Sequence, residues 1–181
     1  MAANTKSTVA NGGGIYCETN TDVTFGFVDF MNNGIIRIKG AGQGYFGSVT
    51  FFEQGQIYGD NTFTNLEFTL GYENNTIESG KTITVIYDLK MEGVRCSYAF
   101  LKASTPGVKA FIYKPSGLFG KIYNAALTDI AGTSGSGGDH PVNYHFDNDN
   151  TKGFVLVPSA PGGREDPQSF EGRFDEPRDE W

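Results

Sequence analysis

The chain holds two histidines, His140 and His145, and two cysteines, Cys17 and Cys96, so its supply of groups that exchange protons or attack substrates near neutral pH is small. In an extended segment successive side chains alternate between faces, and the odd spacing of the two histidines sends their rings to opposite sides. No imidazole pair for acid–base work is expected there. Both cysteines fall inside alternating apolar runs, where a thiol packs as a small hydrophobe. A bridge between them requires neighbouring strands, with a cross-link between copies as the sharper alternative. Asp29, Glu53, Glu67, Glu73 and Asp88 lie at or near strand positions, but glycoside cleavage needs two carboxyls converging on one cleft. Strand acids ordinarily face water, and the expectation is a chain with no catalytic residues and no cofactor.

Metal and phosphate sites fare little better. Asp139, His140, His145, Asp147, Asn148, Asp149 and Asn150 form the one cluster rich in oxygen and imidazole ligands, with Asp147 and Asp149 its weak candidates. Measured from Asp147, however, the glycine falls one place late for a helix–loop–helix calcium site, and Pro158 stands where the closing glutamate belongs. An Asx-rich turn is expected instead. The run from Lys39 to Gly44 contains three glycines but no terminal Lys-Ser/Thr, and a strand rather than a helix follows, so it reads as a tight turn.

Aromatic side chains carry more information than charges. Fifteen Phe and nine Tyr are more than the core faces of the expected strands can bury. Adjacent pairs such as Tyr45-Phe46 and Phe51-Phe52 must send neighbours to opposite faces. Rings left outside suit a subunit contact, a sugar or a lipid headgroup, with Tyr45, Phe46, Tyr58, Tyr72 and Tyr113 as candidate contacts.

The elements that must position these residues read as strands. Asn33-Gly34, Gln54-Gly55, Glu92-Gly93 and Pro106-Gly107 each separate two segments rich in β-branched and aromatic residues, which is the pattern of hairpin turns. The clearest strand runs from Thr82 to Lys90, with Ile83, Val85, Tyr87 and Leu89 on one face, and its hairpin partner carries Cys96, Tyr98 and Phe100. A helical turn or two at 124–131, capped by Asn124, competes with a strand there. Val142 to Phe146 and Phe154 to Val157 suit a last hairpin. The fold class expected is all-β: a single antiparallel β-sandwich, or flattened barrel, of about eight to ten short strands with extended terminal arms. Residues 1–14 form the N-terminal arm, 15–159 the body and 160–181 an acidic arm with Pro and aromatic residues. An echo between Ile36–Val49 and Phe111–Ile122, each containing Gly-x-Phe-Gly, is attributed to the abundance of Gly and Phe.

The net charge is −7, and the segment from Arg164 to Trp181 holds seven acids against three arginines. With no basic cluster, nucleic acid is excluded as a partner. No run reaches the length of a membrane-spanning helix, and the start lacks the layout of a secretory signal, so the expected location is the cytoplasm, a particle or an inclusion. The C-terminal arm is too poor in aliphatic residues to order alone. Its Phe170, Phe174 and Trp181, with Arg164, Arg173 and Arg178, are therefore expected to dock on another copy. The function expected is non-catalytic self-assembly into a homo-oligomer or larger assembly. The alternative is a lectin-like or pore-forming-like module that binds carbohydrate or membrane.

Overall fold

A computed structural model of the chain describes residues 6–9, 13–69, 75–93, 98–116, 122–135, 140–147 and 154–156. Among them there are fifteen strands and no helix, and every strand pairing is parallel. One ladder stacks β1 (Lys6–Val9), β3 (Val23–Phe30), β5 (Gly44–Phe51), β7 (Asn61–Phe68) and β9 (Thr82–Glu92). The start of β9 continues to β11 (Ala110–Lys114) and β13 (Ile130–Ser134). The other ladder stacks β2 (Gly14–Glu18), β4 (Gly34–Lys39), β6 (Gly55–Tyr58), β8 (Asn75–Ile77), β10 (Ala99–Ala103), β12 (Ile122–Thr128), β14 (His140–Asp147) and β15 (Phe154–Leu156). From β1 to β14 the chain alternates between the two ladders, each strand pairing with the one two places on; the end of β9 also meets β12, and β15 pairs with β14. The result is a β-solenoid of about five turns built on two parallel sheets.

This overturns the antiparallel sandwich. Alternation of apolar and polar residues is the usual signature of an antiparallel sheet with one wet face, because parallel sheets are normally covered on both sides. A solenoid yields the same alternation: each parallel sheet turns one face inward and leaves the other to solvent. What separates the two is recurrence from coil to coil. Phe30, Phe51, Phe68 and Met91 occupy one position in successive coils, and Ile15, Ile36, Ile57, Ile77 and Ala103 another. The rings of Phe30 and Phe51 stack at 4.8 Å and those of Phe51 and Phe68 at 5.4 Å, while Phe25, Phe46 and Phe63 form a second stack.

Two of the expected hairpin glycines serve another end. Gly34 and Gly55 open β4 and β6, and neither has positive φ. A Cβ on Gly55 would stand 2.6 Å from the Phe51 ring, and Gly34 faces Phe30 in the same way. The missing side chain is space for a stacked ring. Pro106-Gly107 does turn the chain, with Gly107 at φ 77°.

Other expectations change for the same reason. β9 pairs with β7, β11 and β12 rather than with a following hairpin strand, and of that partner's residues Cys96 lies outside the described set. At 124–131, where a helical turn competes with a strand, the structure has the end of β12, Asp129 and the start of β13. β14 and β15 pair in parallel, not as a hairpin. The echo joins β4 to β11, which belong to different ladders. β1 lies within the expected N-terminal arm, and residues 160–181 lie outside the described set.

Candidate functional site

The strands of the first ladder change phase partway along. In β3, β5 and β7 the inward positions run Phe25 then Val28, Phe46 then Val49, and Phe63 then Leu66, leaving two outward residues in succession. Each strand thus divides into a stretch before a bend and a stretch after it, and the two present different chemistry.

Before the bend, one outward row runs Thr24, Tyr45, Thr62, Thr84, Tyr113, Thr133, each beside the next in the parallel register. Phe111 sits next to Thr82 in the neighbouring row, and on the other side the outward residues are Gly26, Gly47, Thr64 and Ile86. None of these residues is charged. Tyr45, Ile86, Phe111 and Tyr113 are all among the exposed large apolar side chains. The Tyr45 hydroxyl donates to Gln43 Oε1 at 3.3 Å, which holds that ring along its own strand. After the bend the matching row is Asp29, Thr50, Glu67, Lys90, and Lys90 Nζ lies 2.6 Å from Glu67 and 3.6 Å from Glu92. The hydrogen bond and charge of Glu67 raise the Lys90 pKa against the pull of burial.

Side chains at the coil corners fix where the strands of the uncharged face begin. Asp22 Oδ1 accepts from Gln43 N at 3.0 Å, and Asp60 Oδ1 accepts from Thr82 N at 2.8 Å, so each carboxylate ties its own coil to the next one. Asp129, at φ 56°, accepts through Oδ2 from Gly107 N, while its carbonyl receives Ala110 N at the head of β11.

The far end of β11 is held by a buried lysine. β9 carries one residue more than β7 at the bend: Phe63 faces Val85, but Asn65 faces Asp88. That bulge leaves Ile86, Tyr87 and Asp88 all exposed, with Tyr87 64% accessible where simple alternation puts it in the core. Lys114, in the next coil, is 4% accessible and donates from Nζ to the carbonyls of Ile86, at 3.0 Å, and Tyr87. Burial lowers its pKa, partly offset by the Asp88 carboxylate. The lysine supplies the donor that the bulged strand lacks, and so fixes the neighbouring Tyr113 in the row.

Of the residues singled out from sequence, Tyr45 and Tyr113 meet on this one face. Tyr58 is on the other ladder, its ring 4.2 Å from the guanidinium of Arg37, beside exposed Tyr16. Phe46 is in the core between Phe25 and Phe63. Cys17 is a free thiol packed against the core. Tyr72, Asp149, Arg164, Phe170, Arg173, Phe174, Arg178 and Trp181 lie outside the described residues, and the side chain of Asp147 does too. Among the described residues no group of three His, Cys, Asp or Glu is placed to hold a metal, and no helix is long and apolar enough to cross a membrane. Thr62, Thr84 and Phe111 were not singled out from sequence. Their signal is lateral: each stands beside a Tyr or Thr only once the coil register is known. No protein-family model matches the chain, and neither a curated protein nor a solved structure matches it significantly.

Proposed function

We propose that the chain is a non-catalytic β-solenoid module that binds carbohydrate on its uncharged threonine and tyrosine face. The row from Tyr45 through Thr62 and Thr84 to Tyr113 carries this reading. Tyrosine offers an apolar ring and a hydroxyl together, the combination a sugar presents in return. Threonine hydroxyls both donate and accept, so they meet sugar hydroxyls in either sense. Because the strands beneath are locked by ladder bonds and corner carboxylates, the face is ordered before any ligand arrives, which lowers the entropic cost of binding.

The test is depletion of the protein from solution by a panel of cellulose, β-1,3-glucan, galactomannan, starch, alginate, pectate and heparin, with anionic and neutral liposomes alongside. At least one polysaccharide should retain the protein, and Tyr45→Ala and Tyr113→Ala should release it while Tyr58→Ala does not. Retention by liposomes alone, or by nothing, would sink the carbohydrate reading.

Self-assembly is the second reading, and a different observation supports it. Among the described residues β1 pairs only with β3 and β2 only with β4, so the first coil presents strand edges of the kind that add a further strand. Sedimentation velocity distinguishes it: a concentration-dependent oligomer, unaffected by Tyr45→Ala and Tyr113→Ala, belongs to the edges rather than to the face.

A further inference from the structure

Resting on the carbohydrate reading, we infer that the ligand is an uncharged polymer lying across the strands, parallel to the solenoid axis, and bridging Tyr45 and Tyr113. Three observations lead there.

The first is charge. The row from Thr24 to Thr133 bears no ionised side chain; the charges lie to either side of it, with Asp22, Asp60 and its ion-pair partner Lys81 at the coil corners and Asp29, Glu67 and Lys90 after the bend. The whole chain has net charge −7. A polyanionic glycan would gain no cation on the face and would approach a molecule of its own sign. A neutral polysaccharide has neither disadvantage.

The second is direction. Along any one strand the uncharged stretch is short: in β9 it passes from Thr82 and Thr84 to Ile86 and then meets the bulge and Asp88. Across the strands the same row continues from Thr24 to Thr133 without a charge. A linear polymer therefore finds a long neutral track in one direction only.

The third is relief. Tyr45 and Tyr113 are large and exposed, and the two residues between them in the row, Thr62 and Thr84, are small and half-buried. The row is a shallow trough with a ring at each end. Three strand spacings separate the rings, about 14 Å at ~4.8 Å per strand. A pyranose unit covers about one such spacing, so a disaccharide reaches one tyrosine and a longer oligomer both.

The experiment is isothermal titration of the full chain with oligosaccharides, from disaccharide to hexasaccharide, of whichever neutral polysaccharide the depletion panel retains. A uronic acid series of the same lengths runs beside it. Affinity should rise by about tenfold or more between disaccharide and hexasaccharide. Tyr45→Ala and Tyr113→Ala should each remove that gain for the hexasaccharide and leave the disaccharide bound by the surviving ring, and Thr84→Lys should weaken every neutral oligomer that crosses the row. Circular dichroism of each variant confirms the fold. Equal affinity for disaccharide and hexasaccharide, tighter binding of the uronic acid series, or indifference to either tyrosine would overturn the inference while leaving carbohydrate binding as such intact. Retention by no polysaccharide defeats the parent reading instead, so the two failures are separable.

Discussion

Phe51 shows how single residues hold the coils together. It is fully buried, stacked between Phe30 and Phe68, with its ring resting in the space left by Gly55. Removing the ring by Phe51→Ala leaves a cavity that the ladder backbones prevent from closing, and should lower the unfolding free energy by about 3–5 kcal/mol. Gly55→Ala acts on the same contact from the opposite side. Its new methyl must push the ring away, at about 1–3 kcal/mol. If the glycine exists to seat the ring, the two changes are coupled, and Phe51→Leu with Gly55→Ala should cost less than the sum of the separate losses in urea denaturation. Strict additivity would show that the glycine serves the backbone rather than the ring. Gly34 and Gly55 stand out in the sequence, and both do mark changes of direction. Their task there is not the expected one, because a glycine wanted for positive φ and one wanted for close packing look alike until the neighbouring ring is placed.

The element that departs most from its neighbours is β9. Its extra residue breaks the ladder at the bend, and Lys114 fills the gap from the next coil. Lys114→Met keeps the length of the side chain but removes the donor from two carbonyls, which should cost about 1–3 kcal/mol at neutral pH. The pH dependence has a definite sign. Because burial lowers the Lys114 pKa, the folded state holds this proton less tightly than the unfolded state, and stability rises as pH climbs from the folded value to the ordinary lysine value. Lys90 runs the other way: its raised pKa contributes stability that is present below the ordinary lysine value and is lost as pH rises through the folded one. In chemical denaturation across the alkaline range, the deficit of Lys114→Met relative to the parent should therefore widen with pH. A constant deficit would mean that the ammonium is not buried as described. At this scale the sequence was partly legible. The apolar residues of β9 were assigned correctly at Ile83, Val85 and Leu89, but Tyr87 was placed with them. The inserted residue cancels the change of phase that β3, β5 and β7 make at the bend, so Leu89 keeps the parity of Ile83 and Val85 while Tyr87 is turned outward, and no period of two reveals the insertion.

For the molecule as a whole, the strands were legible and their partners were not. Strands do flank Asn33-Gly34, Gln54-Gly55 and Pro106-Gly107 as expected, since local alternation and β-branched residues determine where a chain extends. Pairing is not local. A sandwich and a solenoid make the same demand on each strand, and differ in whether position n repeats one coil later. Here the repeat is irregular: the buried column advances by 21 residues from Phe30 to Phe51, by 17 to Phe68 and by 23 to Met91. That variation hides the period from inspection, although the paired Val-x-Phe-x-x-x-Gly runs at Val28 and Val49 mark it. The candidate face suffered the same fate. Tyr45 and Tyr113 were visible as exposed rings, but nothing short of the register makes them members of one row with Thr62 and Thr84.

That register is the premise of both the fold and the binding face, and engineered cysteines read it directly. In a Cys17→Ser, Cys96→Ser background, Thr62→Cys with Thr84→Cys places two outward side chains directly beside each other on adjacent strands, about 4.8 Å apart along the ladder. That separation lies within disulfide range. Mild oxidation should close one intramolecular bridge in this pair, detected as a mass loss of two hydrogens and a peptide cross-link, and should leave Thr62→Cys with Val85→Cys open, since Val85 points into the core. Two free thiols in the first pair, or a bridge in the second, would contradict the in-register parallel solenoid.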